Sequence, residues 1–289
     1  MGTTDSKAVI DASLALANSH YENFPVASVL LPMRYREPIG LIYSFARQAD
    51  DFADEGDLPA EERLRRLDEF RQELNRIEAG QLPHSPFFAE LANMIKTWGL
   101  PVQLFRDLLD AFSQDVVKSR YENFAEVLDY CRRSANPIGR LLLHLYGQAT
   151  PENLECSDAI CSALQIINFQ QDVAIDYRKN RIYFPLDEMR QYGVGEQQIA
   201  RGETGGNWQA FMAFQINRAK GMMGSGRPLG LALPGRIGLE LRTMIAGGER
   251  ILHKLQAVNG DMFHHRPVLQ PWDWTFMLTR ALMKRGCHS

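Results

Sequence analysis

The chain has 289 residues, 45% of them apolar, with a formal net charge of −3. Such a length can bury a large core, and the weak acidic balance lacks the basic stripe of a nucleic-acid footprint, so no nucleic-acid partner is expected. Four cysteines (Cys131, Cys156, Cys161 and Cys287) form no C-x-x-C pair and read as free thiols of a reducing compartment. The polar first residues lack the apolar run of a signal peptide, and no stretch reaches the ~18 apolar residues of a membrane span, so a cytoplasmic location is expected.

In chain order, helical periodicity covers roughly 38–55. It continues through Leu64, Leu67, Phe70, Leu74 and Ile77, apolar residues at three- and four-residue steps with charges between them. Pro59 near the start of this second segment and Gly80 after its end fit helix punctuation. Similar patterns cover roughly 86–98, 101–118, 124–147, 157–178, 207–223 and 236–257. No alternating run demands a sheet, so the pattern predicts an all-α fold. No linker divides the chain, so a single domain over 1–289 is expected, with the Gly-rich stretch 221–238 as a loop or helix junction within it. The tetrapeptide Tyr-Glu-Asn-Phe at 21–24 and 121–124 reads as chance recurrence, because its flanks do not repeat.

Two aspartate pairs at helical spacing, Asp50/Asp54 and Asp172/Asp176, carry the chemistry. Like charges four residues apart on a helix cost about 0.2–0.5 kcal/mol. At about 100° per residue, Tyr43, Arg47, Asp50 and Asp54 share one stripe, and Gln165, Asn168, Asp172 and Asp176 share another. Asp51 falls off the first stripe and is the weaker ligand candidate. A solvated acidic face is the plain alternative. Against it, both seams interrupt otherwise apolar helices, and Asp54 and Glu55 stand near a helix C-terminus, where the macrodipole disfavours anions. All candidate ligands are oxygens, which points to Mg²⁺ and away from zinc. Arg47 on the first seam, and Arg178, Lys179 and Arg181 after the second, suit phosphate oxygens. The residues predict a diphosphate held through Mg²⁺ between two helices, whose departure leaves a carbocation in an apolar cavity.

These residues resemble the squalene/phytoene synthase family, an all-α fold with two D-x-x-x-D motifs. The resemblance runs from His20-Tyr21-Glu22-Asn23-Phe24-Pro25 and Leu31-Pro32 through the first acidic helix and Tyr130-Cys131. It continues from Gln165 to Arg181-Ile182-Tyr183-Phe184-Pro185. It implies a helical array around a central apolar cavity and Mg²⁺-dependent ionisation of a prenyl diphosphate. It assigns Asp50, Asp54, Asn168, Asp172 and Asp176 to metal and diphosphate, and Arg47, Arg181 and Arg266 to diphosphate. Tyr43, Tyr130 and Tyr183 match aromatic positions around the reacting centre, where a ring face can stabilise a cation.

Where many members carry V-A-G-x-V-G, this chain has Arg132-Arg133-Ser134-Ala135-Asn136-Pro137-Ile138-Gly139-Arg140. That segment resembles the bacterial hopanoid branch, which implies presqualene diphosphate as substrate and water as the quenching nucleophile. The implied products are hydroxysqualene and diphosphate, with no NADPH. Pro137 predicts a bend in the helix, and Asn136 beside it is the candidate for admitting a fixed water; a bend that merely fits the helix to its neighbours is the alternative. Head-to-head condensation of two prenyl diphosphates, or a catalytically silent assembly role, are the competing functions. The Trp272/Trp274/Phe276 cluster reads as core or a lipophilic rim, leaving open peripheral contact with the inner membrane and with neighbouring pathway enzymes.

Overall fold

The computed structural model describes residues 31–54 and 58–283. The His20–Pro25 motif, Glu55 and Cys287 lie outside the described residues. Among the described residues the regular structure is fourteen α-helices. The only extended pairing there is an isolated parallel bridge between Tyr121 and Pro185. The all-α expectation holds. The chain divides into two compact units, residues 1–118 with 133–154, and 119–132 with 155–289.

The first unit is built on α1 (Met33–Asp54), α2 (Ala60–Glu78), α3 (Pro86–Trp98), α4 (Val102–Val117) and α6 (Asn136–Leu145). Local chemistry sets their ends. Ser85 accepts the Phe88 amide at 3.3 Å ahead of Pro86, and Gly99 closes α3 in the left-handed conformation at φ 61°. The core is aromatic: Phe45 is fully buried, with ring centroids 5.5 Å from Phe70 and 5.1 Å from Phe105. Each such pair adds about 0.5–1.5 kcal/mol beyond its buried area. Phe45 therefore anchors the face of α1 that points away from its polar strip.

The second unit holds α8 (Val173–Arg178), α9 (Leu186–Tyr192), α10 (Glu196–Arg201), α11 (Trp208–Gly226), α12 (Pro228–Ala232), α13 (Gly235–Ala257) and α14 (Pro271–Leu282). Most of α5 (Phe124–Ser134) and α7 (Pro151–Gln171) also belong to it. The Gly-rich stretch, expected as a loop or helix junction, joins α11 to α13 through the short α12. Two glycines, one within the stretch and one beyond it, explain themselves by space: a Cβ on Gly226 would stand 2.4 Å from Ile160 Cγ1, and one on Gly248 would stand 2.9 Å from Leu164 Cδ2. Both glycines let α7 approach closely. The α14 helix opens with a reciprocal capping box between Gln270 and Asp273. The fully buried Asp273 carboxylate also meets Arg250 Nε at 2.6 Å and Lys254 Nζ at 2.5 Å, latching α14 to α13. Burial alone would raise its pKa, but Lys254, the Gln270 amide and Arg250 together hold it down at about 2.

Two predicted helices are broken. The segment expected as one bent helix over 124–147 is α5 and α6, with Ala135 between them as N-cap and Pro137 in the first turn of α6. Proline is tolerated there because the first-turn amide has no intrahelical partner to lose, so the chain restarts a helix in place of bending one. The segment expected over 157–178 breaks at Asp172 into α7 and α8. Helices α9, α10 and α14 fall where no pattern had been assigned.

Candidate functional site: two acidic seams

The first seam stands on one uninterrupted helix. Over 22 residues α1 carries Tyr43, Arg47, Asp50 and Asp54 along one strip, all partly buried, flanked by buried Ile42, Ala49 and Ala53. Arg47 reaches both neighbouring carboxylates. Its Nη2 lies 2.7 Å from Asp51 Oδ1 and its Nη1 lies 3.7 Å from Asp50 Oδ2. Asp51, set aside as off the stripe, is thus part of the charge balance, because positions i+3 and i+4 are both within reach of one guanidinium. Arg63 completes the end of the helix, donating from Nη1 to Ala53 O and from Nε to Leu58 O, each at 2.9 Å. A cation there offsets the negative end of the macrodipole beside Asp54. Sequence reading missed Arg63, since it comes from the following helix and no local spacing announces it.

The second seam survives a break in its helix. Asp172 N–H donates to Asn168 O at 2.9 Å, and Asp176 N–H donates to Asp172 O at 2.8 Å. The four-residue hydrogen-bond step therefore runs through the interruption at Asp172 and keeps Asn168, Asp172 and Asp176 in sequence along it. The Arg181 amide then closes onto Asp176 O at 2.8 Å, turning the chain after Asn180, which has φ 58°. Arg120 fastens this turn by donating from Nη1 to Asn180 O at 2.7 Å and pairing with Glu196 at 2.8 Å. Beyond it, Ile182 N–H donates to Ser119 O and Leu186 N–H to Tyr121 O, at 3.0 and 2.9 Å.

That pairing assembles an aromatic cluster. Tyr183 stacks on Phe169 with centroids 3.8 Å apart and planes 4° apart. Tyr121 and Tyr130 each lie 5.6 Å from Tyr183 and 5.7 Å from one another. Tyr130 and Tyr183, which the family resemblance assigned to the reacting centre, are in ring contact. Phe169 and Tyr121 were missed, although Phe169 adjoins Asn168 and Tyr121 sits in the repeated tetrapeptide. A group of ring faces beside the acidic seam can stabilise positive charge. Asn136 belongs to the first unit, where it is 5% exposed at the first residue of α6.

Arg266 enters from the segment between α13 and α14, and its Nε lies 2.5 Å from Asp172 Oδ1. The segment is held at the two residues that follow it. Gln171 Nε2 donates to Pro267 O, and Lys254 Nζ donates to Val268 O, both at 2.7 Å. His264 and His265 both bond to Asp261, at 2.9 and 3.1 Å, and so act as the polar loop expected of them. Burial opposes ionisation of Asp261, but those two histidines hold its carboxyl below the usual range.

Among the described residues no three His, Cys, Asp or Glu side chains gather as a ready-made metal cage. The donor sets nevertheless fit a hard cation. Each seam supplies two carboxylates, with an amide in the second, and no sulfur or imidazole. Mg²⁺ typically takes one or two carboxylates, with substrate phosphates and water completing its shell. Cys131, Cys156 and Cys161 form no disulfide, and burial pushes the Cys131 thiol up to about 12.

Comparison with known proteins defines first the class and then the family. A squalene synthase from Alicyclobacillus acidocaldarius, of known structure, superposes with TM-score 0.82 at 33% identity, covering 89% of this chain and 96% of that one. A dehydrosqualene synthase solved with a ligand gives TM-score 0.87 over 98% and 99% of the two chains; at 18% identity that likeness is one of fold. Among sequence relatives, a hydroxysqualene synthase of Rhodopseudomonas palustris is 36% identical over 251 residues, 86% of this chain and 84% of that protein. A hydroxysqualene synthase of Zymomonas mobilis is 41% identical over 195 residues, 66% of this chain and 64% of that protein. The squalene/phytoene synthase pattern matches residues 17–273. The chain belongs to the squalene/phytoene synthase family, whose members act on prenyl diphosphates.

Proposed function

We propose that the protein is a hydroxysqualene synthase that converts presqualene diphosphate and water to hydroxysqualene and diphosphate. The observation that carries this reading is the 36% identity to a hydroxysqualene synthase over 86% of the chain, with both acidic pairs intact. The carbon–oxygen bond to diphosphate breaks, the diphosphate keeps the electron pair, and the rearranged cation takes a water oxygen and releases its proton. Asp50 and Asp54, and Asn168, Asp172 and Asp176, are the residues that would hold Mg²⁺. Bound there, Mg²⁺ supplies charge neutralisation to the departing diphosphate.

The chain's own groups have separable tasks in this reading. Arg47, Arg181 and Arg266 orient and neutralise diphosphate oxygens. Tyr130 and Tyr183, with Phe169 and Tyr121 behind them, present ring faces to the cation. Tyr43, one turn before Arg47, is assigned to the reacting end of the substrate. Asn136 is assigned to hold the quenching water, supported by its burial at the start of α6. No NADPH is required, because water and not hydride ends the reaction. We also read the two compact units as one functional domain.

The test offers purified protein presqualene diphosphate or farnesyl diphosphate with Mg²⁺, with and without NADPH, and identifies products by mass spectrometry. A C30 alcohol from presqualene diphosphate without NADPH is the expected result. Turnover of farnesyl diphosphate alone establishes head-to-head condensation instead, and no diphosphate release from either leaves the assembly role. Asn136→Gly with Pro137→Val probes the water: a lower alcohol yield with diphosphate release retained is expected, and an unchanged yield removes Asn136 from that role.

A further inference from the structure

Residues 228–289 hold eight Lys and Arg against four Asp and Glu, although the chain as a whole is net negative. The positions of those four acids decide the surface. Glu240 is 8% exposed, the Asp273 side chain is wholly buried in its latch, and Glu249 is held between Arg227 and Arg280. Asp261 is occupied by His264 and His265. Across 228–283 no carboxylate residue is exposed, whereas Arg236, His253, His264, His265 and Arg266 are.

The same stretch carries an apolar face. On α14, Trp272 is 67% exposed, Phe276 51% and Met283, just past its end, 53%. Steps of four and seven residues put all three on one side of the helix, with Leu282 at its border. Pro271, Thr275 and Thr279 make up the remainder of the exposed side, which therefore has no charge of its own. Arg242 donates to Gly230 O at 2.7 Å and to Ala281 O at 2.8 Å, tying exposed Leu231 of α12 to the same end of the patch as Leu282. The helix cannot roll this face inward, because that would pull Asp273 from Arg250 and Lys254 and strand a buried charge.

We propose that this face of α14 docks on an anionic lipid bilayer. An amphipathic helix lying in the interface uses this combination of features: aromatic and aliphatic side chains on one uncharged side, and flanking segments that expose basic residues but, across 228–283, no acid. Tryptophan at one end suits the headgroup boundary. Lys284 and Arg285 follow directly in the sequence and add positive charge. A second copy of the chain is the poorer occupant, since a two-fold contact would bring two copies of this basic stretch together with no exposed acid across 228–283 to pair with it.

The test is flotation of the full-length protein with vesicles of phosphatidylcholine alone or mixed equally with phosphatidylglycerol. Binding to the mixed vesicles at least about tenfold above the neutral ones, falling as salt rises, is expected. Trp272→Ser with Phe276→Ser should cut it at least about tenfold with the thermal melt unchanged, and Lys284→Gln with Arg285→Gln should cut it more weakly. The proposal is overturned by absence of flotation, by equal flotation of the Trp272/Phe276 variant, or by self-association that this variant abolishes. The measurement needs no turnover, so its outcome is independent of the proposed reaction.

Discussion

The two acidic seams balance the same charge in different ways. On α1 the arginine is local: Arg47 sits three and four residues before the carboxylates it meets, on an unbroken helix. At Asp172 the helix is interrupted, and the arginine arrives from 94 residues later in the chain. A local pair is set by helical pitch and persists as long as the helix does. A remote pair lasts only while its segment stays docked, so the second seam is the one that can change partners.

The largest expected effect treats the seams as equals. Asp50→Asn and Asp172→Asn should each lower kcat/KM by about 10²–10³-fold, the scale of losing one preorganised charge-stabilising group. Mg²⁺-dependent diphosphate release is the readout, and loss at one seam only would show that the other serves structure.

A second contrast is one of stability. Glu240 on α13 has a buried Oε2 with no hydrogen-bond partner, and burial pushes its pKa up to about 8 from an ordinary 4.5. The native state then keeps a proton that the unfolded chain gives up. Stability is fullest below the ordinary value and falls as pH rises toward 8, on the order of a few kcal/mol in all. Glu240→Gln should flatten that fall in thermal melts between pH 5 and 9. A melting temperature with the same pH slope in both proteins would remove Glu240 as its source.

The arginines separate the seams more finely. Arg266→Gln should raise KM about tenfold or more, in line with the ~1.5–3 kcal/mol of a hydrogen bond to a charged group. It should also strengthen Mn²⁺ binding measured by electron paramagnetic resonance without substrate, because Asp172 loses its resident cation. Arg47→Gln should raise KM similarly but change Mn²⁺ binding less, as Asp50 meets Arg47 only at 3.7 Å. Equal shifts in metal binding would erase the distinction between local and remote balance.

The smallest effect acts on one seam through packing. Gly226→Ala sets a methyl against Ile160 and the Cys156 carbonyl on α7, and overpacking of this kind costs about 1–3 kcal/mol. Chemical denaturation reads the loss directly. Activity should follow through the second seam, with divalent binding at the first unchanged.

The all-α class, most helix positions and both aspartate pairs were legible because each rests on spacing of three or four residues, which helical pitch turns into a shared face. Legible too were Arg47 and the harmless His264-His265 step. The breaks at Ala135 and Asp172 were not. Periodicity runs smoothly through both, since apolar side chains keep their spacing where the backbone restarts. Arg63, Tyr121 and Phe169 were likewise invisible as site residues, because what makes each relevant is a neighbour from another element.

The sequence by itself determined which groups could handle a diphosphate, since carboxylates, amides and arginines at helical spacing are local facts of composition and pitch. Only the tertiary structure decided how those charges are balanced and what stays uncovered. It brought Arg266 to Asp172, stacked Tyr183 on Phe169, buried or paired the acids of the last helices and left Trp272 and Phe276 in solvent. Those outcomes depend on contacts between residues far apart in the chain, and packing selects them from the many that local pattern allows.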